Sequence, residues 1–193
     1  MFKPVSLAVL ALLTLSGCGI NNIPTYDEAA KAAWSQVENQ YQRRADLVPN
    51  LVETVKGFAK QEKDVLVQVV EARAKATQMA VPKDIVNNPG AFKQFQQNQD
   101  GLSSALARLM VVVEKYPDLK SNQNFLALQS QLEGTENRIS VARRDYIESV
   151  QKYNTELRTI PGRWWASLMY SDAKVKETFA TAPEAKDAPK VKF

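Results

Sequence analysis

The sequence predicts an all-α fold: an elongated antiparallel up-down helical bundle of three long helices plus a shorter fourth. Apolar residues recur at steps of three and four along three long runs, the spacing that lines one face of a helix. No segment alternates at period two for long enough to make a strand. Pro82, Pro89, Pro117 and Pro161 fall between the runs rather than inside them, where helices are expected to stop or start.

The first run spans residues 26–80. Trp34, Val37, Tyr41, Ala45, Val48, Val52, Val55 and Ala59 form its stripe. Pro49 lies inside it, and an interior proline removes one backbone hydrogen bond at a cost of about 3 kcal/mol. The stripe stays in phase across the proline, so one kinked helix is expected, with the Asn50 side chain satisfying the freed carbonyl. Beyond Ala59 the stripe falls on Glu62 and resumes at Leu66 and Val69. A phase slip or an exposed stretch is therefore expected at Gln61-Glu62-Lys63-Asp64. At 1.5 Å per residue this helix would reach roughly 80 Å, against roughly 55 Å for the third. The surplus early turns are expected to act as a stalk.

Val81-Pro82 ends this element, and Asn88-Pro89 opens the next, with Asn as cap and Pro at the first helical position. Its stripe is Phe92, Phe95, Gln99, Leu102, Leu106, Leu109, Val113 and Tyr116, until Pro117 stops it. Ser121 is expected to cap the third helix. Phe125, Leu128, Leu132, Thr135, Ile139, Ala142, Tyr146, Val150, Tyr153, Leu157 and Ile160 form its stripe, which Pro161-Gly162 ends. A short fourth helix over residues 163–170 and a weaker stretch to Thr181 complete a bundle placed at 26–182. A tail at 183–193 carries Pro183 and Pro189 and is expected to be loosely docked or disordered.

The N-terminus reads differently. Lys3 is followed by an apolar run of eleven residues, 5–15, whereas a membrane-spanning helix takes roughly 20. A charged start, an apolar middle and small residues at the exit are the parts of an export signal. Leu15-Ser16-Gly17-Cys18 contains the chain's only cysteine and resembles the lipobox of bacterial lipoproteins. The resemblance implies a signal peptide at 1–17, cleavage before Cys18, acylation of that cysteine, and a short tether at 18–25. Two or three acyl chains hold a protein firmly where one does not. Gly19 is not the Asp that resembles an inner-membrane retention signal, so the outer membrane is favoured if the cell has two.

Composition narrows the chemistry. There is no histidine among the 193 residues, which excludes imidazole-based acid/base catalysis and most zinc and haem sites. With Cys18 acylated, no thiol remains for disulfides or nucleophilic attack. Removing residues 1–17 takes Lys3 from the 25 cations, leaving 24 against 21 acids, a net +3. These charges are interspersed, as on solvated helix faces. No nucleic-acid partner, metal or cofactor beyond the covalent lipid is expected. Asp27-Glu28 shows no partner, no carboxylates cluster at calcium-loop spacing, and no glycine-rich phosphate loop occurs.

Four runs together resemble the LemA family of bacterial proteins. They are Arg43-Arg44-Ala45-Asp46-Leu47-Val48-Pro49-Asn50-Leu51-Val52-Glu53-Thr54-Val55-Lys56-Gly57, then Tyr116-Pro117-Asp118-Leu119-Lys120, then Leu128-Gln129-Ser130-Gln131-Leu132-Glu133-Gly134-Thr135-Glu136-Asn137-Arg138-Ile139, and Ala142-Arg143-Arg144-Asp145-Tyr146 with Tyr153-Asn154. They cover residues 26–160. The resemblance implies an antiparallel bundle attached to a bacterial membrane, with no established catalytic activity and no catalytic residues to carry over. Many family members look anchored by an N-terminal hydrophobic helix, whereas this chain carries a lipobox. Its Arg163-Trp164-Trp165 also looks richer in aromatics than the family's usual fourth helix.

Two features are candidate partner contacts. Arg43-Arg44 with Asp46, and Arg143-Arg144 with Asp145, could bridge two helices or form a basic ledge for acidic headgroups or envelope polymers. The plainer reading is surface pairs worth about 0–1 kcal/mol each. Trp164 and Trp165 are amphipathic rings suited to an interface. Adjacent helical positions point about 100° apart, so one ring is expected inside and one outside. In an up-down bundle this end is expected to lie far from the anchor, favouring a protein partner over the same membrane.

The function expected is that of a non-enzymatic, lipid-anchored envelope protein acting as scaffold or interaction partner. The alternative is a lipid- or ligand-binding carrier, or a hydrolase using carboxylates inside the bundle, against which the apolar stripes argue. Cys18→Ser should leave unprocessed precursor or release the protein from the membrane. Intact-mass analysis checks this, and stable acylation of the variant would refute it.

Overall fold

The computed structural model describes residues 19–78 and 84–179. The lipobox residues Leu15, Ser16, Gly17 and Cys18, the signal segment 1–17, Val81-Pro82 and the tail 183–193 lie outside the described residues. Among the described residues there are six α-helices and no strand: α1 (Asn22–Phe58), α2 (Lys63–Gln78), α3 (Pro89–Val113), α4 (Pro117–Lys120), α5 (Gln123–Arg158) and α6 (Gly162–Met169). A 3-10 turn, Ile85–Asn87, precedes α3.

The expectation of one helix over 26–80 is corrected at both ends. The chain turns helical at Asn22, inside the expected tether, and leaves the helix after Phe58. The break falls at Ala59–Glu62, where the apolar stripe loses phase, and not at Pro49. The reason Pro49 is tolerated lies in α2. A proline at 49 leaves the Ala45 carbonyl without its helical donor, and Arg73 Nε donates to that oxygen at 2.8 Å. Asn50 does not serve this purpose: its side chain is exposed, and its own carbonyl accepts from Thr54 Oγ1. The corner at 59–62 is pinned instead by Tyr116, whose hydroxyl donates to Glu62 Oε1 at 3.0 Å and accepts from Gln61 Nε2 at 2.8 Å.

With α1 ending at Phe58, no surplus length is left for a stalk. α1 has 37 residues and α5 has 36, and the early turns of α1 are packed, with Ile23, Ala30 and Trp34 all buried. Asn88 caps α3 by accepting from the Ala91 amide at 3.1 Å, with Pro89 at the first helical position. The cap of α5 is Asn122, whose Oδ1 accepts from the Phe125 amide. Ser121 donates instead to the Asp118 carbonyl.

The chain divides into two compact units. Of the described residues, one comprises those up to Arg44 with Ser130–Lys176, the other those from Ala45 to Gln129 with 177–179. In the first, the early part of α1 runs antiparallel to the late part of α5. The register is marked by Asn22 with Glu156, the Trp34 and Tyr146 rings edge to face at 5.3 Å, and Arg44 with Glu136. Burial of Val37, Tyr41, Ile139, Tyr146, Val150 and Tyr153 forms the core. Thr135, the polar member of the stripe, hydrogen-bonds the Gln131 carbonyl of its own helix.

In the second unit, α2 runs antiparallel to both its neighbours. Arg73 meets Ala45 on α1, while Gln68 and Ala76 meet Arg108 and Gln99 on α3. Gln99 is buried and donates to the Ala76 carbonyl in the last turn of α2, where helical carbonyls lack partners. Leu51, Leu102, Leu109, Leu119 and Phe125 fill the centre.

The Pro49 and Arg73 account predicts non-additivity. Arg73→Ala should cost about 1–3 kcal/mol by leaving a buried carbonyl unpaired. In a Pro49→Ala background, where the backbone donor returns, the loss should shrink markedly. Urea unfolding of the four proteins checks this, and additivity within about 0.5 kcal/mol would refute it.

Candidate functional site

The twin arginine pairs are not brought into one ledge. Arg44 is 1% exposed, donates to Glu136 Oε1 at 3.0 Å and lies 5.0 Å over the Tyr41 ring. It links α1 to α5 inside the first unit. Arg43 beside it is exposed. On α5, Arg143 is half-buried, and Arg144 is exposed and pairs with Asp145 at 3.1 Å and Glu148 at 3.8 Å on its own helix. Such surface pairs contribute little. Glu136, the acid Arg44 reaches, stands in the third family-like run, but its pairing with Arg44 exists only once α1 and α5 are in register.

A second buried cation has no signal in the sequence pattern. Lys176 is buried; its ammonium meets Asp27 Oδ1 at 2.6 Å and lies 4.7 Å over the Tyr153 ring. Its backbone amide donates to Asn154 Oδ1 at 2.9 Å, and its carbonyl accepts from Asn154 Nδ2 at 3.0 Å. The segment 173–176, which belongs to no helix, is thereby strapped against α5. Asp27 also meets Lys31 at 2.7 Å. Burial acts to raise the Asp27 carboxyl, but hydrogen bonds from Lys176 and Lys31 outweigh it and hold the group below its ordinary value. Burial and the nearby Asp27 charge push the Tyr153 phenol up. Glu38 is raised by burial, partly offset by a hydrogen bond from Trp34. These acids have partners of their own, and among the described residues no three metal-ligating side chains cluster.

The tryptophans sit on α6. Gly162 opens this helix, and a Cβ there would collide with the Glu156 carbonyl, so only glycine lets α6 turn back against the end of α5. Trp164 is 62% exposed, whereas Trp165 is half-buried with its indole nitrogen shielded from solvent. Ile160, Leu168 and Met169 are exposed at 64%, 76% and 55%. Ile160 therefore ends the α5 stripe on the outside. This end is beside the start of the described chain, contrary to the expectation of distance. A Cβ on Gly19 would lie 3.6 Å from Pro161 Cγ. Tyr170, at the end of α6, donates to the Ile20 carbonyl at 3.2 Å, and Asn22 donates to Glu156.

The second unit carries a groove of about 570 Å³ between α1 and α2. Val52, Leu66, Val67 and Val70 line its floor, and Lys56, Lys60 and Lys63 stand among the charged residues of its lining. Val67 and Val70 are half exposed. Lys56 pairs with Glu53 on α1, whereas Lys60 and Lys63 form no ion pair among the described residues. The 59–62 corner creates this groove, so reading α1 and α2 as one helix hid it. The slip of the stripe onto Glu62 was its only trace in the sequence.

The fold and these surfaces define an all-α helical-bundle protein whose exposed features suit contacts. Residues 33–193 match the LemA family, and the chain belongs to that family. Over 95% of its length it is 27% identical to Magnetosome protein MamQ 1 and Magnetosome protein MamQ 2 of Paramagnetospirillum magneticum, covering 72% of each. Magnetosome protein MamQ of Magnetospirillum gryphiswaldense is similar to the same extent, 27% over 95% of this chain and 72% of its own. No helix among the described residues is long and apolar enough to cross a membrane.

The latch at Asp27 carries a pH prediction. Its folded carboxyl lies below the ordinary value of 3.8, so its stabilisation is in full force above that value and fades as pH falls through the folded one. The protection factor of the Lys176 amide, its exchange corrected for the intrinsic rate at each pH, should therefore fall on acidification below about 4. Asp27→Asn should produce the same loss of protection at neutral pH and cost about 3 kcal/mol, because it leaves a buried ammonium uncompensated. Unchanged exchange at Lys176 in the Asp27→Asn protein would refute the latch.

Proposed function

We propose that this LemA-family chain is a non-catalytic scaffold of the bacterial cell envelope, held to the membrane by acyl chains on Cys18, with the α1–α2 groove receiving a segment of a protein partner. The observation that carries the partner-binding role is the groove itself. Its apolar floor is left half open to water, and its lining holds Lys56, Lys60 and Lys63 against Glu53 and Glu71, with Lys60 and Lys63 in no ion pair among the described residues. An amphipathic helix with apolar anchors at i, i+3, i+4 and i+7 and acidic flanks matches that surface. The lipobox sequence supports the anchor, and the magnetosome proteins named above support a role as part of an assembly. With two membranes in the cell, Gly19 after the acylated cysteine favours the outer one.

The alternative of carboxylate chemistry inside the bundle draws no support from the two acids whose titration is perturbed. Asp27 is engaged by two lysines, and Glu38 by Trp34.

A photo-crosslinking amino acid at Val67 or Val70, introduced in living cells, should give one discrete adduct that the same group at exposed Val111 does not give. Mass spectrometry of the adduct should place the crosslink in an acidic amphipathic helix. Lys60→Glu with Lys63→Glu should reduce its yield about tenfold, the effect of roughly 1.4 kcal/mol. Equal labelling from Val67, Val70 and Val111 would overturn the groove as the docking site.

A further inference from the structure

We infer that the exposed face of α6 is a second membrane contact, lying in the headgroup region of an anionic lipid surface beside the N-terminal anchor. The inference deepens the proposed function and rests on its placement of the chain at a membrane. Its occupant follows from where the chain arrives. Gly19, one residue after Cys18 and four after the apolar run 5–15, sits beside Pro161 at the entry to α6, and Tyr170 at the exit holds Ile20. An anchor at residue 18 therefore keeps the surface it enters within reach of α6.

The face suits that surface. Trp164 and Leu168 are four residues apart and so share one side of α6, and Ile160 and Met169 extend the exposed apolar area. Tryptophan is enriched at membrane interfaces because its ring is apolar and its N–H polar. Arg158 and Arg163, at the end of α5 and the start of α6, are exposed and form no ion pair among the described residues. Both are available to lipid phosphates. The acids nearby are Glu156, which accepts from Asn22, and exposed Asp172. A short amphipathic element of this kind lies in the interface plane with its apolar side sunk about 5–10 Å. It fixes which way the bundle faces, something an acyl chain on a single residue does not do.

The test uses the full chain purified from membranes and reconstituted in vesicles of phosphatidylethanolamine and phosphatidylglycerol carrying brominated acyl chains. Tryptophan emission should be quenched by the bromolipid and shielded from aqueous iodide, and Trp164→Phe should remove most of the quenchable signal. Leu168→Glu, at a site too exposed to disturb folding, should lower the ratio of docked to undocked protein by about tenfold or more, as expected for withdrawing one large apolar side chain. Replacing phosphatidylglycerol by phosphatidylcholine should weaken quenching, and so should Arg158→Gln with Arg163→Gln. Emission open to iodide in a protein whose mass shows acylated Cys18 would overturn the inference and leave the anchor standing. Emission shielded from both quenchers would mean that protein covers the face, and would overturn it equally. Bromolipid quenching in a protein with a free Cys18 thiol would uphold the face and sink the lipid anchor.

Discussion

A carbonyl inside a helix expects an amide four residues on, and at Ala45 that amide is missing because Pro49 has none to give. Arg73 reaches across from α2 to supply the donor. The unbroken course of α1 depends on this substitution of a side chain for a backbone group. Because α1 continues to Phe58, its stripe keeps phase along the whole helix, and its 37 residues match the 36 of α5. The antiparallel register of early α1 and late α5 brings Arg44 to Glu136 and Asn22 to Glu156, and so decides where the chain enters relative to α6.

Most of the core was legible because helical burial is periodic. All eight positions read as the first stripe, from Trp34 to Ala59, are buried, as are Phe92 to Val113 in the second. Boundaries were less legible where two rules competed. Proline is a strong local breaker, yet a tertiary hydrogen bond overrode it at Pro49. The true break at Ala59–Glu62 has neither glycine nor proline and is stabilised by Tyr116, a residue more than fifty positions away. Similarly, Ser121 and Asn122 are both good caps, and only the geometry of the preceding turn selects Asn122.

The candidate surfaces were less visible still. Single-sequence reasoning pairs charges that are near in the chain, so it joined Arg144 to Asp145 but could not see Arg44 with Glu136 or Lys176 with Asp27. It found Trp164 and Trp165 and expected one inside and one outside, but assigned them the wrong neighbourhood. That expectation counted three long helices and put the third helix's end opposite the start. The corner at 59–62 adds a helix to that count, and hydrogen bonds of Asn22 with Glu156 and of Tyr170 with Ile20 set the end of α5 beside the start of α1. The α1–α2 groove was missed for the same miscounted helix.

Asn154 holds Lys176 by both polar groups of its backbone, accepting from its amide and donating to its carbonyl. One planar side-chain group therefore plays the part that a neighbouring β-strand would play, in a protein with no strand among its described residues. Asp could not donate, Ser could not span both groups, and Gln would set them one methylene too far out. Position 154 is thus as chemically restricted as a residue in an active centre. Strict selection at a polar residue of a helical bundle can reflect a mechanical clamp as readily as a reaction.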